Sequence, residues 1–354
     1  MSENLIFMAG KNAFAKIREN GLSPDDIAVM TGAAGGPKWL VMSNLDRFLF
    51  SSWFKDRKKP LYLIGSSSGS WRFASVSQAD PLSAIDRFQY AYTRQQYDGV
   101  PSPEIVSQTA LEILDHILLE KGAEEILAHP FIRMCVMTVR CKGLAANDKK
   151  SAILPAMAAA FILNGMSRKW LKFFFERAFF HDLRDKPPYL DDTGIKTEMI
   201  PMTRGNLKFA LLASGSIPLV MSGVKNISGA PDGTYRDGGV IDYHMDLPIN
   251  PGQGIIFFPH YTNTITPGWL DKKLSWRRPQ HLDNTLMVAP SEKFVKKLPY
   301  EKIPDRNDFH KFEGRDKERI KYWEEAVELN KCLADEFNDA VSTGKIANMV
   351  RLMK

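Results

Sequence analysis

Short apolar runs alternate along the chain with stretches whose apolar residues recur at helical spacing. Residues 11–20 read as a short helix, with Phe14 and Ile17 inward and Gly21 as its stop. Ile27-Ala28-Val29-Met30 is a buried-strand candidate that runs into Thr31-Gly32-Ala33-Ala34-Gly35-Gly36-Pro37-Lys38. A helix follows, its apolar face made by Trp39, Leu40, Met42, Leu45, Phe48 and Leu49. A second strand covers 61–64 and leads into a Gly/Ser turn and a helix to about Ser77. Asp80-Pro81 and Ser102-Pro103 each place a capping residue before a helix-starting proline. The helix opened by Ser102 runs to Lys121 and is stopped by Gly122. Ile132 to Val139 predicts a strand, and the apolar, aromatic stretch 154–180 predicts helix that partly covers a site. Asn206–Ser214 reads as helix, Gly238–Ile241 and Ile255–Phe258 as strands, and 262–282 as a basic loop. The tail from about Glu318 to Ala340 predicts one amphipathic helix, with Ile320, Trp323, Val327, Leu333 and Phe337 roughly in phase. Strands alternating with helices predict an α/β fold with a largely parallel central sheet. No repeat, low-complexity segment or obvious linker divides the chain.

Composition changes this picture little. At 354 residues the chain can bury a large core, and 44% hydrophobic with 25% charged residues is ordinary for a globular protein. The balance of 47 basic to 41 acidic residues, +6 net, favours anionic surfaces such as phospholipid head groups. No dense Lys/Arg tract with interleaved aromatics occurs, so a nucleic-acid partner is not expected. Cys135, Cys141 and Cys332 are scattered and form no CxxC, so neither a zinc site nor a disulfide framework is expected. The first twenty residues carry charges in the wrong places for a signal peptide, and no apolar run reaches the length of a membrane span. The expectation is a cytoplasmic protein, soluble or peripherally membrane-bound.

Three stretches carry candidate chemistry. The second strand ends in Gly65-Ser66-Ser67-Ser68-Gly69, and among the three serines only Ser67 has glycine two before and two after it. A strand running through Gly-x-Ser-x-Gly into a helix builds a nucleophile elbow, which holds the serine hydroxyl clear of the sheet beside free helix-start amides. The glycine loop at 32–36 lies between a strand and a helix, where backbone N–H groups can meet a developing negative charge. It is not a Walker loop, since Trp39 follows Lys38, and its spacing does not make a dinucleotide fingerprint. The third stretch is Asp237-Gly238-Gly239, whose glycines let the carboxylate approach another loop closely; taken alone it is a turn.

In this order the three pieces resemble the patatin-like phospholipase family of lipid acyl hydrolases. Ala213-Ser214-Gly215-Ser216-Ile217-Pro218 is similar to the segment that precedes the family's aspartate, and Val240-Ile241-Asp242 and Pro248 also follow its pattern. The resemblance spans about Val29 to Pro248 and implies a three-layer α/β/α fold: residues 1–254 as the catalytic domain and 255–354 as an extension packed on it or capping the site. It implies Ser67 as nucleophile and Asp237 as its base, a dyad without histidine. Gly35 and Gly36 match the oxyanion glycines, Lys38 the basic residue beyond them, and the Ser68 amide is a further donor candidate. The chain departs from the family in Ala33, Ala34 and Pro37, and proline has no N–H to donate. The implied activity is metal-independent and cofactor-free hydrolysis of acyl esters in phospholipids or related lipids.

Two other readings stand beside it. His244, His260, His281 and His310 all follow Asp237, and His244 would complete the Ser-Asp-His triad of an α/β-hydrolase. A non-catalytic lipid-binding or scaffolding protein could also keep this fold. Trp269, Lys272, Lys273, Trp276, Arg277 and Arg278 combine aromatics with cations as interfacial segments do, and are the expected membrane contact; Phe173–Phe175 are expected in the core or an acyl-pocket wall.

Overall fold

A computed structural model describes residues 3–191 and 193–353. Its strands are β1 (Leu5–Ala9), β2 (Ile27–Gly32), β3 (Leu61–Ser66), β4 (Ile132–Cys141), β5 (Phe175–His181), β6 (Thr197–Pro201), β7 (Val224–Lys225), β8 (Thr234–Asp237), β9 (Ile255–Pro259), β10 (Thr285–Pro290) and β11 (Arg351–Leu352). They join in one sheet of order β11-β1-β10-β9-β2-β3-β4-β5-β6, with β8 on β4 and β7 on β8. The central run from β10 through β9, β2 and β3 to β4 is parallel, while β1 pairs antiparallel with β10 and β5 antiparallel with β4.

The strands are apolar on both sides because the sheet is the middle of three layers. Along β4, Met134 and Val136 enter one cluster with the helices Ser68–Val76, Pro103–Leu118 and Arg204–Gly215, while Cys135 and Met137 join Val29, Ile64 and Met245 in another. The architecture is the α/β/α arrangement expected. Segment 255–354 shares this sheet: β9 and β10 stand between β2 and β1. Among the described residues no helix is long and apolar enough to cross a membrane.

Several boundaries differ from the expectation for identifiable reasons. The stretch 154–180 holds the end of the helix Lys150–Met166 and a short tight helical turn at Arg168–Phe173, but Phe175–His181 is β5, buried on both faces, where Glu176, Arg177 and His181 interrupt the aromatics and no clear period separates strand from buried helix. Phe173 is exposed rather than in the core. The helix from Pro103 ends at Leu118, and Gly122 begins the next one instead of ending it. Gly238–Val240 is a tight helical turn, and the strand is the more polar Thr234–Asp237 before it. The tail is two helices, Asp316–Leu329 and Lys331–Ser342. Asn330 at the break donates to Leu40 O at 2.9 Å and accepts from Asn44 N–H at 3.2 Å, tying the tail to the segment that follows the glycine loop.

Candidate active site

The elbow is present as a backbone feature. Ser67 sits at φ 55°, ψ −131°, between β3 and the helix Ser68–Val76. A non-glycine residue held there costs on the order of 1–3 kcal/mol and persists only where its surroundings fix it. Here Ser214 fixes it: its hydroxyl accepts the Ser67 N–H at 2.8 Å, donates to Met137 O at 2.7 Å and lies 3.1 Å from Ser70 Oγ. Glycine is obligatory at 69, where an added Cβ would stand 2.1 Å from the carbonyl oxygen of Gly32.

Asp237 reaches this point through strand register. β3 runs parallel to the first half of β4 and ends with Ser66 opposite Met137. β8 runs antiparallel to the second half and ends with Asp237 opposite Thr138, the next residue of β4. Two strands thus point their C-terminal ends at each other along one edge of β4, which closes a sequence gap of 170 residues. The Asp237 N–H donates to Ser216 O at 3.1 Å, so the 213–218 segment steadies both Ser67 and Asp237.

The Asp237 carboxylate accepts from Gly239 N–H at 2.7 Å and from Ser66 Oγ at 3.4 Å, and the Ser67 hydroxyl is near enough to favour its ionised form. Burial is the dominant influence on its acidity and moves the pKa from 3.8 up to about 6. The Ser67 hydroxyl, the Gly239 and Ser66 hydrogen bonds and the Arg306 charge pull in the opposite direction and lose.

The glycine loop is held from behind. Ala34 N–H donates to Tyr243 O at 3.0 Å, and the Tyr261 hydroxyl donates to Ala34 O. Thr266 N–H donates to His244 Nδ1 at 2.9 Å, which leaves the ring proton on Nε2 to donate to the Tyr261 oxygen at 2.8 Å. Burial first, then the neighbouring His260, Lys38 and Lys272, keeps His244 neutral. Both His244 nitrogens are therefore committed to Thr266 and Tyr261, and His244 does not assemble a triad with Asp237. Gly35 lies against the Tyr261 ring, where an added Cβ would come within 2.5 Å of it. Beyond this buttress, the amides of Gly35, Gly36 and Ser68 donate no hydrogen bond to any described residue.

Two cavities meet at Ser67. One, of about 310 Å³, is apolar, with Trp71, Val106, Ile113, Leu219, Met221 and Phe309 in its wall. The other, of about 270 Å³, contains Gly35, Lys38, Asp237, Trp269, Lys272 and Arg306. Ser67, Ile217 and Arg306 belong to both. Lys38, Lys272 and Arg306 form no ion pair with any described residue; Lys38 Nζ lies 4.9 Å from the Tyr261 ring centre and Lys272 Nζ 4.0 Å from that of Tyr243. Burial pushes the Lys272 ammonium down to about 8, helped by repulsion from Lys38 and Arg306. Burial also lowers Lys38, against the pull of Asp305. Arg306 precedes the helix Asn307–Lys311, whose Asp308 accepts from Trp323 Nε1 at 3.0 Å and from Lys302 Nζ at 2.6 Å. Among the described residues no group of three or more His, Cys, Asp and Glu could hold a metal ion.

All six residues singled out from the sequence, Ser67, Asp237, Gly35, Gly36, Lys38 and Ser68, thus line the two joined cavities. Arg306, Tyr261 and His244 were not assigned these roles. Nothing local in the sequence marks Arg306, which lies beyond the stretch carrying the resemblance. His244 was noticed for its distance from Asp237 and acts instead on the loop.

No family model matches the chain, and no curated protein matches it. Among solved structures, the crystal structure of VipD from Legionella pneumophila is similar at a TM-score of 0.36 and 11% sequence identity, covering 87% of this chain and 67% of that one.

Proposed function

We propose that the protein is a metal-independent serine hydrolase that cleaves acyl esters of lipids carrying an anionic group, with Ser67 as nucleophile and Asp237 as general base. The observation that carries this reading is a strained, buried serine that shares a cavity wall with a carboxylate whose pKa is raised to about 6, at the junction of an apolar and a cationic cavity. A serine hydroxyl attacks only when a base takes its proton, and a carboxylate at its ordinary 3.8 is a poor base.

In the acylation step Ser67 Oγ forms a bond to the ester carbon while its proton passes to Asp237. The carbonyl oxygen becomes an oxyanion and accepts from the free amides of Gly35, Gly36 and Ser68. Each such donor supplies about 2.7–4 kcal/mol of transition-state stabilisation. The tetrahedral intermediate collapses, the alkoxide leaves with the proton from Asp237, and the acyl group stays on Ser67. Water then gives a proton to Asp237 and attacks the acyl carbon; as this intermediate collapses, Asp237 returns the proton to Ser67 Oγ and the carboxylic acid is released. The apolar cavity takes the acyl chain, and Lys38, Lys272 and Arg306 face the anion on the other side of the bond.

Hydrolysis of a panel of phospholipids and neutral esters by wild type and by Ser67→Ala tests the reading. Turnover that depends on Ser67 supports it. Binding of the same lipids with no turnover in wild type would identify a lipid-binding protein instead.

A further inference from the structure

Beyond its first turn, Lys150 and Ser151, the helix Lys150–Met166 has no polar outer face. Its inner side, Ile153, Ala156, Met157 and Ala160, packs with Val139, Leu171, Phe175 and Val240. Leu154, Pro155, Ala158, Phe161, Ile162 and Met166 recur at helical spacing on the opposite side, and all six are exposed. Leu154 is 50% exposed, Ile162 63% and Met166 66%. The segments that pack against this helix extend the patch: Phe173 is 61% exposed, and Trp276 is 64% exposed beside Arg277, which donates to Asn164 O at 2.6 Å. An uncharged helix face of this kind is not that of an ordinary solvated helix.

Charge decides what covers it. From Lys149 to Phe175 the chain has five basic residues and no acidic one. Lys149, Lys150, Lys169, Lys172, Lys273 and Arg278 are exposed and form no ion pair with any described residue. Lys172 Nζ lies 5.5 Å from the Phe173 ring centre, so its stem follows the ring while its charge reaches out. An apolar strip with a cationic rim and an exposed tryptophan matches a bilayer interface, where side chains enter the acyl boundary and ammonium groups meet anionic head groups.

We propose that helix Lys150–Met166, with Phe173 and Trp276, is a membrane-docking face that seats the protein on anionic lipid bilayers. The expected segment, 269–278, contributes its far end, while its near end, Trp269 and Lys272, lines the cationic cavity at Ser67. A lipid leaving the bilayer at this face is thus one short segment from the site. The docking itself does not depend on chemistry at Ser67.

Full-length Ser67→Ala protein is sedimented with phosphatidylcholine vesicles with and without phosphatidylserine. Binding is expected to the mixed vesicles and to weaken as salt is raised. Ile162→Glu is expected to lower it roughly tenfold or more, since it removes an apolar side chain that would enter the acyl boundary and adds a repelled charge. Leu329→Glu, on a distant helix, is expected to leave it unchanged. In the Ser67-intact background, Ile162→Glu keeps wild-type turnover of a soluble short-chain ester if that activity exists, which separates loss of docking from loss of the hydrolase reading. Absence of binding to mixed vesicles, equal binding of Ile162→Glu, or a concentration-dependent dimer that Ile162→Glu abolishes would overturn the proposal.

Discussion

Replacing Asp237 by Asn separates the chemical role of this carboxylate from its cost to the fold. The asparagine keeps an oxygen to accept the Gly239 N–H and gains an NH₂ that can donate to Ser66 or Ser67, so packing at the end of β8 is preserved. What disappears is a buried charge. The wild-type carboxyl titrates at about 6 in the folded chain against 3.8 when unfolded, and at about 1.36 kcal/mol per pH unit this displacement amounts to about 3 kcal/mol. The sign follows from proton counting. Between 3.8 and about 6 the folded state holds a proton that the unfolded state has released, so wild-type stability falls as pH rises through that window. Below 3.8 both states are protonated and the penalty vanishes; above about 6 it is complete. Asp237→Asn is therefore expected to be more stable than wild type by about 3 kcal/mol at pH 8 and close to it near pH 3.5, provided both remain folded there. Urea unfolding of the two proteins across this range measures the difference. The same variant is expected to be catalytically inert, so stability and activity move in opposite directions. A difference that does not change with pH, or a variant less stable at pH 8, would refute the assignment of a buried, raised carboxyl at 237.

Three further outcomes are expected. Turnover of a neutral ester should rise with pH along a limb centred near 6, because the ionised form of Asp237 is the base; on an anionic substrate KM should increase above about 8 as Lys272 loses its charge, and a pH–rate profile checks both. Arg306→Ala should raise KM roughly 10- to 100-fold for esters with a phosphate beside the bond, the about 1.5–3 kcal/mol of a charged hydrogen bond, and leave neutral esters near wild type; steady-state kinetics on the paired substrates decides it. His244→Gln should lose stability by about 1–3 kcal/mol through the broken Thr266–His244–Tyr261 relay yet keep measurable turnover, whereas near-complete loss of activity in a folded variant would restore a histidine base.

The elbow, the glycine loop and Asp237 were legible because each depends on residues adjacent in sequence: Gly65 and Gly69 around Ser67, Gly32 at the end of β2 with Gly35 and Gly36 just beyond it, and the Asp-Gly-Gly turn. Short parallel strands such as Ile27–Gly32 and Leu61–Ser66 were legible for a related reason, since a strand buried on both faces is an uninterrupted apolar run. The reading failed at Phe175–His181, where the aromatic run Phe173–Phe175 continues from a short helical turn straight into a strand with no glycine or proline to signal the change. The strand bearing Asp237 was displaced by four residues because Tyr235 and Arg236 are buried by tertiary partners, among them Arg236 to Asp148, that pattern cannot anticipate. The approach of Ser67 to Asp237 was an inference from resemblance; its physical basis is the division of β4 between β3 and β8, which only register shows. Arg306 and Tyr261 were invisible because their roles come from how the last third of the chain folds back over the glycine loop.

The central claim is that Asp237 activates Ser67, and the rate of covalent capture tests it most directly. A fluorophosphonate probe, with the adduct mapped by mass spectrometry, is applied near neutral pH to wild type and Asp237→Asn. The account predicts one adduct, on Ser67, with its formation slowed roughly a hundredfold or more in the folded Asn variant. No adduct at Ser67, or capture at the same rate without the carboxylate, would contradict it.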